Sequence, residues 1–271
     1  MAIEVISIGS SSSGNSYIIK ASGRNILLDV GLTAKRILGA MRDFDIEPED
    51  LDAVLLTHEH VDHIRSVRAI GRKCCNAVFY TSRGTAERTE NYKYIPEERS
   101  RIVSSGDMIT LDGDVPVTIR VFTLSHDAAE PVGYTVETGT DKLAVVTDTG
   151  IVTDEIYDAI SDASKLVFEA NHDEDLLMFG EYPYPVKVRI KSDHGHLSNK
   201  YAGEVLAKLI EERRERAEKP LEIMLAHLSF HNNAPFYARS TIEGIFNEKG
   251  YERDADYTLT IASKDEITEF Y

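Results

Sequence analysis

Three histidines and an aspartate fall within six residues, His58-Glu59-His60-Val61-Asp62-His63, directly after the apolar run Ala53 to Leu56. A short apolar run of this kind reads as a buried strand, so the cluster emerges from the end of a sheet. His58 and His60 are two residues apart in an extended segment, and their rings therefore point to one side. Asp62 and His63 follow where the chain turns into a helix and can aim two more ligands at a neighbouring point. Imidazole and carboxylate together suit zinc and similar divalent metals. The bland alternative is a chance cluster of surface histidines, and this density directly after a strand speaks against it.

Other candidate ligands recur in the same register. His126 follows a strand Val117 to Leu124, Asp148 follows Lys142 to Thr147, and His227 follows Glu222 to Ala226. Singly, each would be read as a local hydrogen-bonding residue. As a set they fit sheets whose strands end at one edge, whereas surface histidines have no reason to recur at strand ends.

The rest of the chain is organised around these strands. Ala2 to Ile8, Ser16 to Lys20 and Asn25 to Asp29 read as a β-meander, with turns at Gly9 to Gly14 and Ser22-Gly23. Thr33 to Met41 reads as a helix capped by Thr33, with Ile37, Leu38 and Met41 on its apolar face. Ile64, Val67 and Ile70 predict a helix that stops at Gly71. Further strands are expected at Ala77 to Tyr80, Gly133 to Glu137 and Leu166 to Glu169. Helices are expected at Asn199 to Arg213 and Pro235 to Asn247. No repeat, linker or composition break divides the 271 residues, so the reading is one domain, 1–271, of sheets packed together with helices outside.

The pattern His-x-His-x-Asp-His, followed by a distant His, an Asp and a final His, resembles the metallo-β-lactamase superfamily over nearly the whole chain. The resemblance implies an α/β (α+β) fold, a four-layer αββα sandwich. It also implies a two-metal site, with His58, His60 and His126 on one metal, Asp62, His63 and His227 on the other, and Asp148 bridging. A metal-bridging hydroxide as nucleophile comes with the same resemblance. Arg65 departs from the pattern, standing where many members carry a small residue.

The fold alone does not choose the reaction. Redox members carry glutamate at the second histidine of the cluster, and His60 therefore favours hydrolysis. Glyoxalase II-type thioester hydrolases carry a C-terminal helical domain that is not evident here. Glu169-Ala170-Asn171-His172-Asp173 and Ser192-Asp193-His194-Gly195-His196-Leu197-Ser198-Asn199 resemble elements of the RNase Z-like phosphodiesterases, in which a glutamate orients a histidine that protonates the leaving oxygen. That resemblance makes Glu169 the orienting residue and His196 the general acid, a role that contributes roughly 10²–10⁴-fold. Asp62, Glu169 and His196 are thus the candidate catalytic residues. The competing readings are a surface salt bridge for Glu169 and a capping role for His196.

Candidate substrate contacts lie nearby in sequence. Lys187, Arg189 and Lys191 alternate and, if extended, share a face that could grip a phosphate backbone, with Tyr182 or Tyr184 stacking on a base; a solvated edge strand is the equal alternative. Arg65, Arg68, Arg72 and Lys73 read as the solvent side of the helix after the cluster. Ser12, Ser13 and Asn15 belong to a glycine-serine loop, Gly9 to Ser16, whose amides could hold a phosphate, and Ser198 and Asn199 close the later element. Together these segments look most like the YycJ/WalJ group within the superfamily, which implies a nucleic-acid phosphodiesterase, a DNA exonuclease. The Asp148 to His227 interval is too short for the inserted domain of β-CASP enzymes, and no glycine- and proline-rich arm of RNase Z is found, so DNA is favoured over RNA.

Composition limits the alternatives. With Lys+Arg 30 against Asp+Glu 46, the formal charge of −16 gives no general attraction to polyanions or membranes, so a polyanionic substrate needs a local positive site such as a metal pair. The acidic surface also suits a second reading, a two-metal hydrolase of a small ester, lactone or thioester. Zinc leads as the metal, and manganese and iron are compatible with the donors. No secretory signal or apolar stretch of membrane-spanning length is visible. Cys74 and Cys75 are adjacent, which fits two reduced, part-buried thiols in a cytoplasmic protein.

Overall fold

The computed structural model describes residues 3–139 and 141–270; Ala2, expected to open the first strand, lies outside the described residues. In chain order the first elements are β1 (Glu4–Gly9), β2 (Ser16–Ala21), β3 (Arg24–Leu28), α1 (Ala34–Asp43), β4 (Ala53–Leu55), α2 (Val61–Ile64) and α3 (Val67–Lys73). They are followed by β5 (Val78–Thr81), α4 (Arg83–Arg88), β6 (Ser100–Ile102), β7 (Met108–Leu111), β8 (Val117–Thr123) and β9 (Val132–Thr138). Next come β10 (Asp141–Val146), α5 (Asp154–Ile160), β11 (Lys165–Glu169), α6 (Glu174–Phe179), α7 (Tyr184–Ile190) and α8 (Asn199–Glu215). The chain closes with β12 (Leu221–Ala226), α9 (Pro235–Glu248), β13 (Tyr257–Ile261) and β14 (Thr268–Phe270). The strands fall into two mixed sheets, and two compact units are present.

The first unit comprises Met1–Thr123, Ala128–Asp141 and Ser263–Tyr271. Its sheet runs β14-β1-β2-β3-β4-β5-β6. The β1-β2-β3 meander is antiparallel, and pairing turns parallel from β3 onward. One face packs Ile6, Ile18, Leu27, Val54 and Phe79 against Ile37 and Met41 of α1 and Val67 and Ile70 of α3. Fully burying each such side chain is worth ~1.5–3 kcal/mol, which fixes β3, the strand that leads to Asp29, and β4, the strand that leads to the histidine cluster. Thr33 caps α1 as expected, accepting from Arg36 N. Strands β7, β8 and β9 pair antiparallel.

The helix after the cluster differs from expectation. It is broken between α2 and α3, because Ser66 N donates to Val30 O at 2.9 Å and Ser66 Oγ to Leu32 O at 2.6 Å, diverting the backbone. Gly71 does not end α3, which continues to Lys73. Arg65, Arg68, Arg72 and Lys73 are exposed, as read from the sequence. Of the two free thiols, Cys74 is buried and Cys75 exposed; burial pushes the Cys74 thiol up to about 11.

The second unit comprises Leu124–Asp127 and Lys142–Ala262. Its strands β10-β11-β12-β13 are all parallel, and Val145, Val146, Leu166, Val167, Phe168, Met224 and Leu225 are buried almost without interruption, as a parallel sheet covered on both faces requires. Helices α8 and α9 pack on each other. Here the extended row of Lys187, Arg189 and Lys191 is overturned, since Tyr184–Ile190 is helical. Pro185 sits in the first turn, where its missing N–H costs nothing, and Val186 N bonds Pro183 O at 2.9 Å. At helical periodicity Arg189 points away from Lys187 and Lys191. No helix among the described residues is long and apolar enough to cross a membrane.

Candidate metal centre

In the first unit the cluster is organised by a residue that sequence reasoning missed. The chain leaves β3 at Asp29, which takes a left-handed φ of 55°, an uncommon conformation for a non-glycine residue. Asp29 Oδ2 accepts from His63 Nδ1 at 2.7 Å, and Asp29 Oδ1 accepts from Thr57 N at 2.9 Å. Thr57 Oγ1 donates to Asp29 Oδ2 at 2.9 Å and, its one proton so used, accepts from His58 Nδ1 at 2.9 Å. Nδ1 is thereby the protonated nitrogen of His58 and of His63, and Nε2 is the nitrogen that carries the lone pair in each, the kind of atom that could ligate a cation. The His58 ring lies 4.2 Å from that of His63 and 4.6 Å from that of His60, centroid to centroid.

Backbone contacts set the turn. Gly31 passes so close beneath the cluster that a Cβ there would sit 1.5 Å from Asp62 O. Asn15 N donates to Asp62 O at 2.8 Å, and Val30 N to His63 O at 2.8 Å. Asn15 is fully buried, and its Nδ2 lies 3.2 Å from His63 Nε2 and 3.4 Å from Asp62 Oδ2.

In the second unit Asp148, two residues beyond β10, and His227, directly beyond β12, also adopt left-handed backbone, φ 61° and 56°. Glu169, the last residue of β11, is wholly buried. Its Oε1 accepts from His196 Nδ1 at 2.8 Å and His227 Nδ1 at 3.0 Å, and its Oε2 from the backbone of Thr149 at 3.1 Å and Leu197 at 3.2 Å. Burial alone would raise the Glu169 carboxyl, but the charges and hydrogen bonds of His196 and His227 outweigh it and hold the group below the usual carboxylate range. His126 Nδ1 donates to Gly195 O at 3.1 Å. Nε2 of His126 and Nε2 of His227 lie 3.8 and 3.3 Å from the same oxygen, Asp148 Oδ1. Burial lowers the His126 pKa, with the Asp148 charge opposing it.

These donors fit divalent metals. Side-chain nitrogen and oxygen atoms of Asp148, Glu169, His196 and His227 lie within 4.8 Å of one another. In His58, His63, His126 and His227 alike, Nδ1 is held by protein oxygen, the arrangement that fixes tautomer and ring plane in metal-binding imidazoles.

The first unit brings His58, His60, Asp62, His63 and Asn15 together; the second brings together His126, Asp148, Glu169, His196 and His227. Other candidates are engaged elsewhere. Ser198 Oγ caps α8 by accepting from Tyr201 N at 3.2 Å and meets Glu174 Oε1 at 3.0 Å, while the buried Asn199 amide bonds Asn233 Oδ1 at 3.0 Å. Both side chains are engaged in internal structure. Lys187 Nζ donates to the carbonyls of Met178 and Gly180 at 2.8 and 2.7 Å, and Arg189 pairs with Asp127 at 3.3 Å. Ser12 and Ser13 are exposed, as is Lys191. Asp29 and Thr57, which position candidate ligands, carry no sequence signal; Gly195, which accepts from His126 Nδ1, lay within the His196 segment, and Asn171, whose Nδ2 donates to His227 O at 2.9 Å, within the Glu169 segment.

Comparison with known proteins identifies the family. A family model described as the beta-lactamase superfamily domain matches residues 24–214. An exodeoxyribonuclease YycJ of Bacillus anthracis is 34% identical over 93% of this chain and 92% of its own length. An exodeoxyribonuclease WalJ of Streptococcus pneumoniae serotype 2 is 34% identical over 96% of this chain and 94% of its own. The crystal structure of the metallo-beta-lactamase fold protein YhfI from Bacillus subtilis superposes with a TM-score of 0.69 at 18% identity, covering 98% of this chain and 99% of that one.

Proposed function

The chain belongs to the metallo-β-lactamase superfamily, and from that premise we propose that it is a two-metal phosphodiesterase acting on nucleic acid, a DNA exonuclease like the relatives just described. Relatives matched over 92% and 94% of their own length support reading residues 1–271 as one functional domain. On this proposal His58, His60, Asp62, His63, His126, Asp148 and His227 hold two divalent cations, zinc foremost. Such cations supply a nucleophile from water at neutral pH and neutralise charge on the phosphodiester.

The observation that carries the phosphodiesterase reading is the position of Glu169 between two imidazoles, 2.8 Å from His196 Nδ1 and 3.0 Å from His227 Nδ1. A carboxylate accepting the Nδ1 proton leaves Nε2 of His196 as the nitrogen that delivers a proton to a departing sugar oxygen. A sugar alkoxide is a strong base and needs that proton; the thiolate that leaves a thioester is a far weaker base and needs it less. His196 is 13% exposed at its side chain while Glu169 is fully buried, so the acid reaches solvent and its orienting partner does not. Asp62, half-buried beside Asn15, completes the assigned catalytic set.

The test is His196→Ala in metal-loaded protein, with metal content measured beside turnover of end-labelled DNA. The expected result is retained metal with cleavage reduced roughly 10²–10⁴-fold. Unchanged turnover defeats the general-acid role. Wild-type protein that hydrolyses a thioester or lactone but no phosphodiester supports the small-ester alternative instead.

A further inference from the structure

Arg65 lines a pocket of about 170 Å³ in the first unit, with Arg36, Lys264, Ser11, Ser13 and Asp265 on its walls. Three cations against one carboxylate stand out in a chain of formal charge −16. The volume is well below the roughly 300–1,000 Å³ typical of pockets for drug-sized molecules, so a small anion fits and a nucleoside does not.

Arg36 is pinned in place. Its Nη2 donates to the carbonyls of Ile8 and Lys264, the latter at 2.9 Å. A Cβ at Gly9 would come 2.5 Å from that Nη2 and 2.7 Å from Lys264 O, so glycine is what leaves the guanidinium its room. Arg65 is anchored through one nitrogen, Nη2 to Ser13 O at 3.3 Å. Each guanidinium thus keeps further N–H donors, in the fork geometry that matches phosphate oxygens. The pocket is one side chain from the candidate ligands: Asn15 Nδ2 donates to Ser11 O at 2.9 Å and lies 3.2 Å from His63 Nε2.

We propose that this pocket binds a second phosphate of the nucleic-acid strand, one that is not cleaved. The inference rests on the phosphodiesterase reading above. It gives a polyanion a local positive foothold on an acidic protein.

The test uses metal-loaded protein and cleavage-resistant, phosphorothioate-linked single-stranded oligonucleotides carrying a 5′-phosphate, a 3′-phosphate or neither. Binding is read by fluorescence anisotropy for the wild type, Arg65→Gln and Lys264→Gln. Each variant is expected to lose affinity roughly tenfold, with the slope of log K against log salt shallower by about 0.7 per lost contact. A loss confined to one end-phosphorylated strand supports a terminal phosphate in the pocket, and a loss common to all three supports an internal one. No measurable wild-type binding, or affinity and salt slope unchanged in both variants, overturns the proposal. The functional reading fails separately, if metal-loaded wild type cleaves no unmodified phosphodiester.

Discussion

Asp29 Oδ2 lies 2.7 Å from His63 Nδ1, and both side chains are essentially inaccessible to solvent. The same carboxylate bonds Thr57, which in turn holds His58, so one residue orients two of the assigned ligands. Asp29→Asn keeps the size and tolerates the left-handed φ of 55°, but it removes the charge that stabilises the Nδ1 proton. The expected outcome is a folded protein whose metal affinity falls about 10–100-fold, measured by competition with a chromophoric chelator. Wild-type affinity in the variant would count against Asp29 as a positioning residue.

Glu169 touches both an assigned ligand, His227, and the assigned acid, His196. Glu169→Gln should therefore lower metal affinity and turnover together, whereas His196→Ala should lower turnover alone. Metal content and single-turnover rate, measured on both variants, give the comparison. If Glu169→Gln kept full metal affinity, its bond to His227 would have no part in holding the cation.

Much of this was legible in sequence because buried strands announce themselves. The apolar runs ahead of His58, Asp148 and His227 lie within two residues of β4, β10 and β12, and a ligand directly beyond a strand is a local pattern. Asp29 was not legible, although it too directly follows a strand, because its role depends on His63, 34 positions away, and nothing within its own segment marks it. The alternation of Lys187, Arg189 and Lys191 misled, since three charges two apart occur on a helix as readily as on a strand; Pro185 in a first turn was the better signal. The break between α2 and α3 comes from bonds to Val30 and Leu32, again a long-range cause. Edge strands such as β6 and β14, three residues each, are too short to show a period.

Gly31 offers a backbone test of the same turn. With a Cβ 1.5 Å from Asp62 O and 2.8 Å from His63 N, Gly31→Ala forces the cluster's backbone to move. Overpacking of this kind costs ~1–3 kcal/mol, and the displaced segment carries two assigned ligands. Denaturant unfolding is expected to show the loss in stability, and metal titration a weakened site in the protein that still folds. A variant with wild-type metal affinity would mean the turn adjusts without moving Asp62 and His63.

His172, two per cent exposed in the loop after β11, predicts how stability responds to acid. Burial lowers its pKa to about 4, against the opposing charge of Glu169, while in the unfolded chain it titrates near 6.5. Above that value both states are neutral at this residue, and its contribution to stability is fully present. Between about 6.5 and 4 the unfolded chain takes up a proton that the folded protein refuses, so stability falls by at most ~1.4 kcal/mol per pH unit. Below the folded value no further change comes from this group. His172→Gln removes the titration, so the difference in unfolding free energy between wild type and variant should shift by about 3 kcal/mol in the variant's favour from pH 7 to pH 4. The measurement is urea unfolding of metal-free protein across that range, so that acid release of the cations does not contribute. Parallel pH dependences in the two proteins would show that His172 is protonated in the fold, and that its burial does not govern its charge.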